Sequence, residues 1–275
     1  VWLAKKLNLK VMFYANGIGP LNKNKNRLFT NKIMNKVDVI TLRENLSYEE
    51  LKHMDIIKPK ILLTADAALT IKPDITSNKH NIFELAAIDL ANNDAPLAGI
   101  SLRKYPGAKK AEQDYIEDTL AIYTDYLADN YGITPVFIPM QYPDDISILE
   151  NVASKIKCKS HIIRKKLTVD QTYELISKMD ILIGMRLHSL IFAASAGVPL
   201  IGLVYDPKIE GFLSYIRQPS AGDVRSLDLE SLKQITSEVW QNRSAISKEL
   251  QMSTEQLEDK AKENARVAVE LIKNT

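Results

Sequence analysis

Residues 180–212 read DILIGMRLHSLIFAASAGVPLIGLVYDPKIEGF, and the apolar spacing of this stretch sets the fold class. Ile181, Leu182 and Ile183 form the short apolar run of a buried parallel strand. Gly184 gives a tight exit, and Leu187, Leu190, Ile191 and Ala194 then recur at helical spacing. Gly197 is placed to close that helix, Pro199 stops it, and Leu200 to Tyr205 reads as a second buried strand ending at Asp206-Pro207. The stretch is a βαβ unit. Neighbouring parallel strands end on the same edge of a sheet. If these two are neighbours, Arg186 and His188 after the first and Lys208 after the second converge on the helix N-terminus. The free N–H groups and partial positive charge there favour an anion. The spacing thus predicts a phosphate or carboxylate site at the carboxyl edge, where open α/β sheets bind ligands. Taken singly, His188 reads equally well as a hydrogen-bonded structural residue, and Lys208 as a solvated side chain.

The rest of the chain repeats the rhythm. Strands are expected at Val11–Ala15, Asp38–Thr41, Ile61–Thr64, Leu97–Leu102, Val136–Ile138 and His161–Ile163, alternating with helices, which predicts parallel sheets. Ser47 and Glu50 have the spacing of a capping box. The rhythm lapses between Lys72 and Asn93 and restarts after Asn92–Pro96, so we place a boundary near residue 95, with residues 1–95 in one Rossmann-like domain and 96–275 in a second. The cleft between the two is expected to be the active site. Arg43 and Arg103 each follow a strand directly. The two-pronged guanidinium suits carboxylate or phosphate, so both are candidate substrate clamps. Gly17 and Gly19 lie in a loop after the first strand, where a backbone can approach a ligand closely, although glycine also punctuates ordinary turns. Asp66, Asp145, Asp206 and Glu210 are the acidic candidates for proton transfer; Asp145 reads alternatively as a helix cap and Asp206 as a turn residue.

The segment GMRLHSLIFAASAGVPLIGLVYDPKIEGF (Gly184–Phe212) resembles the signature of the polysaccharide pyruvyltransferase family, of the CsaB type. YANGIGPL (14–21), TLRENLS (41–47), TADAAL (64–69), ISLRKY (100–105) and FIPMQYPDD (137–145) stand in that family's order. The resemblance implies a GT-B-like fold of two Rossmann-like domains. It implies transfer of a pyruvyl group from phosphoenolpyruvate to an amino-sugar, N-acetylmannosamine, of a lipid-linked cell-wall polysaccharide precursor, forming a cyclic ketal. Under it, His188 is the catalytic acid, Arg186, Lys208 and Arg103 bind the donor, and Arg43, Gly17, Gly19 and Asp66 bind substrate. No cofactor is implied beyond phosphoenolpyruvate as donor substrate. Family members open with a glycine-rich strand-turn-helix carrying a Gly-Asp pair, which this sequence lacks before Val1, so the N-terminal domain is expected to be incomplete.

Composition bounds the alternatives. The 275 residues, 45% hydrophobic and 25% charged, are ordinary for a globular protein with two domains. Thirty-six basic against 34 acidic side chains leave a formal charge of +2 and no field that argues for nucleic acid. Cys158 is the single cysteine, which excludes an internal disulfide, and no pair of His and carboxylates has zinc-ligand spacing, so no metal is expected. No apolar run reaches membrane-span length and no signal peptide is visible, which predicts a cytoplasmic protein. From Lys5 to Lys36 eight basic residues stand with no Asp or Glu; this is a solvated face or a peripheral contact with the inner membrane surface and its lipid-linked saccharide. Two competing functions remain at this level. One is a glycosyltransferase using a nucleotide-sugar in the same fold; the other is a truncated paralogue that binds polysaccharide precursor without catalysis.

Overall fold

The computed structural model describes residues 1–19, 21–73, 82–88 and 95–273. The chain divides into two compact units, Val1–Ile71 with Thr254–Thr275, and Lys72–Ser253.

The first unit opens with α1 (Trp2–Lys6), β1 (Met12–Asn16), α2 (Asn24–Met34), β2 (Val39–Leu42), α3 (Asn45–His53) and β3 (Lys60–Leu63). The strands form a parallel sheet in the order β1-β2-β3. All four residues of the central strand are buried, and Ile40 and Leu42 pack with Met34, Leu51, Met54 and Ile56. One expectation is corrected here. Helix α3 begins after Glu44, which takes extended backbone angles, so Ser47 is inside the helix and not its cap. The fully buried Ser47 hydroxyl instead accepts the Ile18 N–H at 2.7 Å, while Glu50 pairs with Arg27 at 2.6 Å. Within the basic run from Lys5 to Lys36, Lys5 also meets Asp38 at 2.6 Å.

The second unit contains α4 (Ile82–Leu85), β4 (Leu97–Ser101), α5 (Lys110–Tyr131), β5 (Thr134–Phe137), α6 (Ile146–Ala153), β6 (His161–Ile162), α7 (Val169–Ser177), β7 (Ile181–Gly184), α8 (Leu187–Ser195), β8 (Leu200–Val204), α9 (Pro207–Tyr215), β9 (Ser220–Asp223) and α10 (Leu229–Gln241). Its six strands are parallel throughout, in the order β6-β5-β4-β7-β8-β9. Strands β7 and β8 are therefore neighbours, as the βαβ reading required. The chain winds outward from β4 in one direction and from β7 in the other, so the topological switch point lies between them. Both strands are wholly buried, which explains their continuous apolar sequence. Gly197 follows α8 with φ +71°, the left-handed conformation that ends a helix at least cost with glycine.

The last helix, α11 (Arg243–Lys273), begins in the second unit, and from Thr254 on the chain groups with the first. The sequence reading put everything after residue 96 in one domain. The reason for the difference is local: Asn264, fully buried, accepts from the Thr64 hydroxyl at 2.8 Å and donates to the Ala65 carbonyl at 3.0 Å. The break read at Asn92–Pro96 lies, as far as residue 94, outside the described residues. Asn264→Ala strands those buried polar partners and is expected to cost about 1–3 kcal/mol. Urea denaturation followed by circular dichroism measures this, and an unchanged midpoint would remove Asn264 from the account of how the last helix is held.

Candidate active site

The carboxyl edge of the six-stranded sheet gathers the residues that follow its strands. Ser101 and Gly184, the last residues of β4 and β7, stand in register with Gly202, two residues before the end of β8, so Arg103, Arg186, His188 and Lys208 all belong to this edge. Arg186 is the residue before the first turn of α8, and His188 lies in that turn with its side chain exposed. Lys208 is half-buried in the first turn of α9, behind Pro207 at its first position. It is thus a helical residue, where the sequence suggested only that it follows a strand. The Asp206 carboxylate caps α9 by accepting the Lys208 backbone N–H at 3.0 Å, and Glu210 is exposed one turn along.

Both arginines on this edge are already held. The Arg103 guanidinium lies 4.7 Å from the Tyr205 ring centroid and donates from Nη1 to the Tyr205 hydroxyl at 2.9 Å. Stacking of this kind keeps the planar cation rigid, and Nε also donates to the Lys104 carbonyl at 3.3 Å. Arg186 makes a two-pronged contact with Asp145, through Nη2 to Oδ1 and through Nε to Oδ2 at 3.1 Å. Asp145 is only 1% exposed, and its Oδ2 also accepts the backbone N–H groups of Met140 at 3.1 Å and Gln141 at 2.8 Å. Asp145 does precede α6, but it makes no capping bond to that helix. The Ser101 hydroxyl, at the end of β4, is buried without a hydrogen-bond partner among the described residues.

In the first unit a second group assembles. Arg43 donates from Nη1 to Asp66 Oδ2 at 2.5 Å, and its Nε is buried without a hydrogen-bond partner among the described residues. Gly17 lies against this guanidinium: a Cβ there would stand 3.0 Å from Arg43 Nε and 2.9 Å from Glu44 Oε1. Only glycine lets the loop backbone come this close. Gly19 takes φ +88°, with Glu50 beneath it. Arg43, Gly17 and Asp66 are therefore in one place, while Gly19 faces the neighbouring Arg27–Glu50 pair. Cys158 offers no nucleophile: burial and the adjacent Asp125 push its thiol up to about 12, so it is protonated at neutral pH.

The sequence profile described as polysaccharide pyruvyl transferase matches residues 1–207. The chain belongs to this family. A relative in Erwinia amylovora, the amylovoran biosynthesis protein AmsJ, is 24% identical over 274 residues, covering 92% of this chain and 63% of its own length. The chain thus spans less than two thirds of that relative. Among solved structures, the UDP-GlcNAc 2-epimerase of Neisseria meningitidis bound to UDP-GlcNAc is similar with TM-score 0.67 and 14% identity, over 98% of this chain and 72% of that one. A glycosyltransferase of Rickettsia africae follows with TM-score 0.62 and 13% identity, over 100% of this chain and 80% of that one. These neighbours share the GT-B-like α/β fold with parallel sheets.

Within this family member, one residue on the carboxyl edge, Tyr205, is missed from sequence, and a second, Asp145, is read there in a different role. Tyr205 carried one usable signal, an aromatic at the last position of an apolar strand. Asp145 was named only as an alternative acid or cap, because its partner lies 41 residues away along the chain. Among the described residues no helix is long and apolar enough to cross a membrane.

Proposed function

We propose that this chain carries the donor site of an enzyme that transfers a pyruvyl group from phosphoenolpyruvate to two hydroxyls of one sugar, N-acetylmannosamine, in a lipid-linked cell-wall polysaccharide precursor. The observation that carries the reading is the cluster of Arg103, Arg186, His188 and Lys208 on one sheet edge beside the switch point, in a member of this family. The donor carries a phosphate and a carboxylate on one alkene, and those groups need cations and helix N–H donors. Lys208, Arg103 and the N-terminus of α8 would hold them, with Arg186 presenting the guanidinium edge that Asp145 does not occupy. His188 would protonate the methylene carbon, leaving positive charge on the adjacent carbon for the sugar hydroxyls to attack. Two new C–O bonds form there, the bond to the phosphate oxygen breaks, one hydroxyl proton restores His188 and the other leaves with phosphate. Arg43, Asp66, Gly17 and Gly19 are further candidates for substrate contact within the first unit, and the chemistry would be cytoplasmic, at the inner membrane surface.

The test is phosphate release from phosphoenolpyruvate with a lipid-linked N-acetylmannosamine acceptor. Acceptor-dependent release supports the reading, whereas turnover of a UDP-sugar with no use of phosphoenolpyruvate would replace it with glycosyl transfer. Lys208→Ala is expected to weaken phosphoenolpyruvate binding roughly ten- to hundredfold, since one charge-assisted contact is worth about 1.5–3 kcal/mol. Calorimetry reads this directly, and unchanged affinity would take Lys208 out of the donor site.

A further inference from the structure

We infer that Asp145 is a positioning residue for the donor site, acting through Arg186 and tying the loop after β5 to the N-terminus of α8. The inference rests on the proposed donor role of Arg186. Three observations carry it. Asp145 is nearly inaccessible, so it does not reach substrate itself. Its two oxygens receive Nη2 and Nε of one guanidinium, the paired geometry that fixes the plane of an arginine and not merely its distance. Its Oδ2 also gathers the N–H groups of Met140 and Gln141, so the same carboxylate sets the path of the loop that leaves β5, two strands away from β7. Arg186 itself immediately precedes α8, with φ −83° and ψ 120°, and its carbonyl accepts the Ser189 N–H and hydroxyl at 3.0 and 2.7 Å. Its backbone is therefore part of the helix terminus that would face the donor, and its side chain is pinned by Asp145.

A second consequence is electrostatic. The buried carboxylate cancels the charge of Arg186, so net attraction for an anion on this edge comes from Lys208, Arg103 and the helix terminus. Arg186 then supplies direction more than charge.

The experiment is a double-mutant cycle on the full chain, with Asp145→Asn, Arg186→Met and the two combined, read by phosphoenolpyruvate affinity and by kcat and KM for acceptor-dependent phosphate release. Asparagine has one carbonyl oxygen to receive the two N–H groups, so Asp145→Asn is expected to lower kcat/KM about ten- to hundredfold, mostly in kcat. In the Arg186→Met background the same change is expected to alter kcat/KM less than about threefold, because the residue through which Asp145 acts is gone. The combined variant removes both buried charges and keeps the protein foldable if Asp145→Asn alone unfolds it. Equal losses in both backgrounds would overturn the inference while leaving the donor site standing. Failure of the underlying reading looks different: Arg186→Met then binds and turns over phosphoenolpyruvate as the parent does, which overturns the role of Asp145 as well.

Discussion

His188→Gln retains phosphoenolpyruvate binding and loses roughly two to four orders of magnitude in turnover, the amount that a positioned general acid contributes. The placement of the side chain supports this outcome. His188 is exposed in the first turn of α8, on the edge that also carries Lys208 and Arg103, and it is not part of the buried core. Glutamine keeps a hydrogen-bonding side chain of similar reach and cannot deliver a proton. Calorimetry and single-turnover kinetics together separate the two roles. Near-normal turnover with weakened binding would make His188 an anion contact, and the proton donor would then be sought at Asp66, Asp206 or Glu210. Asp66 and Asp206 are engaged, with Arg43 and with the Lys208 N–H respectively, which leaves Glu210 the more accessible of the three.

Asp145→Ala destabilises the second unit by about 3–5 kcal/mol, because it leaves the Arg186 guanidinium, 15% exposed, without its counter-charge. It also strands the N–H groups of Met140 and Gln141. At about 2–4 °C per kcal/mol for a unit of this size, the melting temperature falls by roughly 6–20 °C. Differential scanning calorimetry reads the loss, and Asp145→Ala/Arg186→Met should recover much of it, since removing both charges also removes the cost of burying one alone. A single variant as stable as the parent would show that the pair contributes nothing to the fold.

The parts of this architecture that were legible in the sequence are those whose burial leaves a pattern. Strands β4, β7 and β8 read as apolar runs because both of their faces are covered, and α8 was legible because Gly197 and Pro199 mark its end. Strand β9, Ser-Ala-Gly-Asp, has no such run; it is the edge of the sheet, paired to β8. Helix α2 buries only Met34, so its lysines and asparagines read as a solvated stretch. Helix α9 was hidden by Pro207, which looks like a stop but occupies the first helical turn, where its missing N–H costs nothing. At the site, the types and edge positions of the cationic residues were readable from strand ends. Their partners were not, because Asp145 and Tyr205 reach Arg186 and Arg103 across 41 and 102 residues of chain, and no local spacing encodes a meeting of that kind.

The return of the last helix to the first strands fixes an order of events during synthesis. The second unit is one continuous stretch, and its strands and helices are all available once residue 253 has been made. The first unit must wait: Thr64 and Ala65 meet Asn264 only after 200 further residues have been added. At about 5–20 residues per second that interval is roughly 10–40 seconds. Throughout it the sheet of β1, β2 and β3 lacks its closing helix and exposes surface that the finished protein hides. Strands β1 to β3 thus leave the ribosome before the second unit and are completed after it.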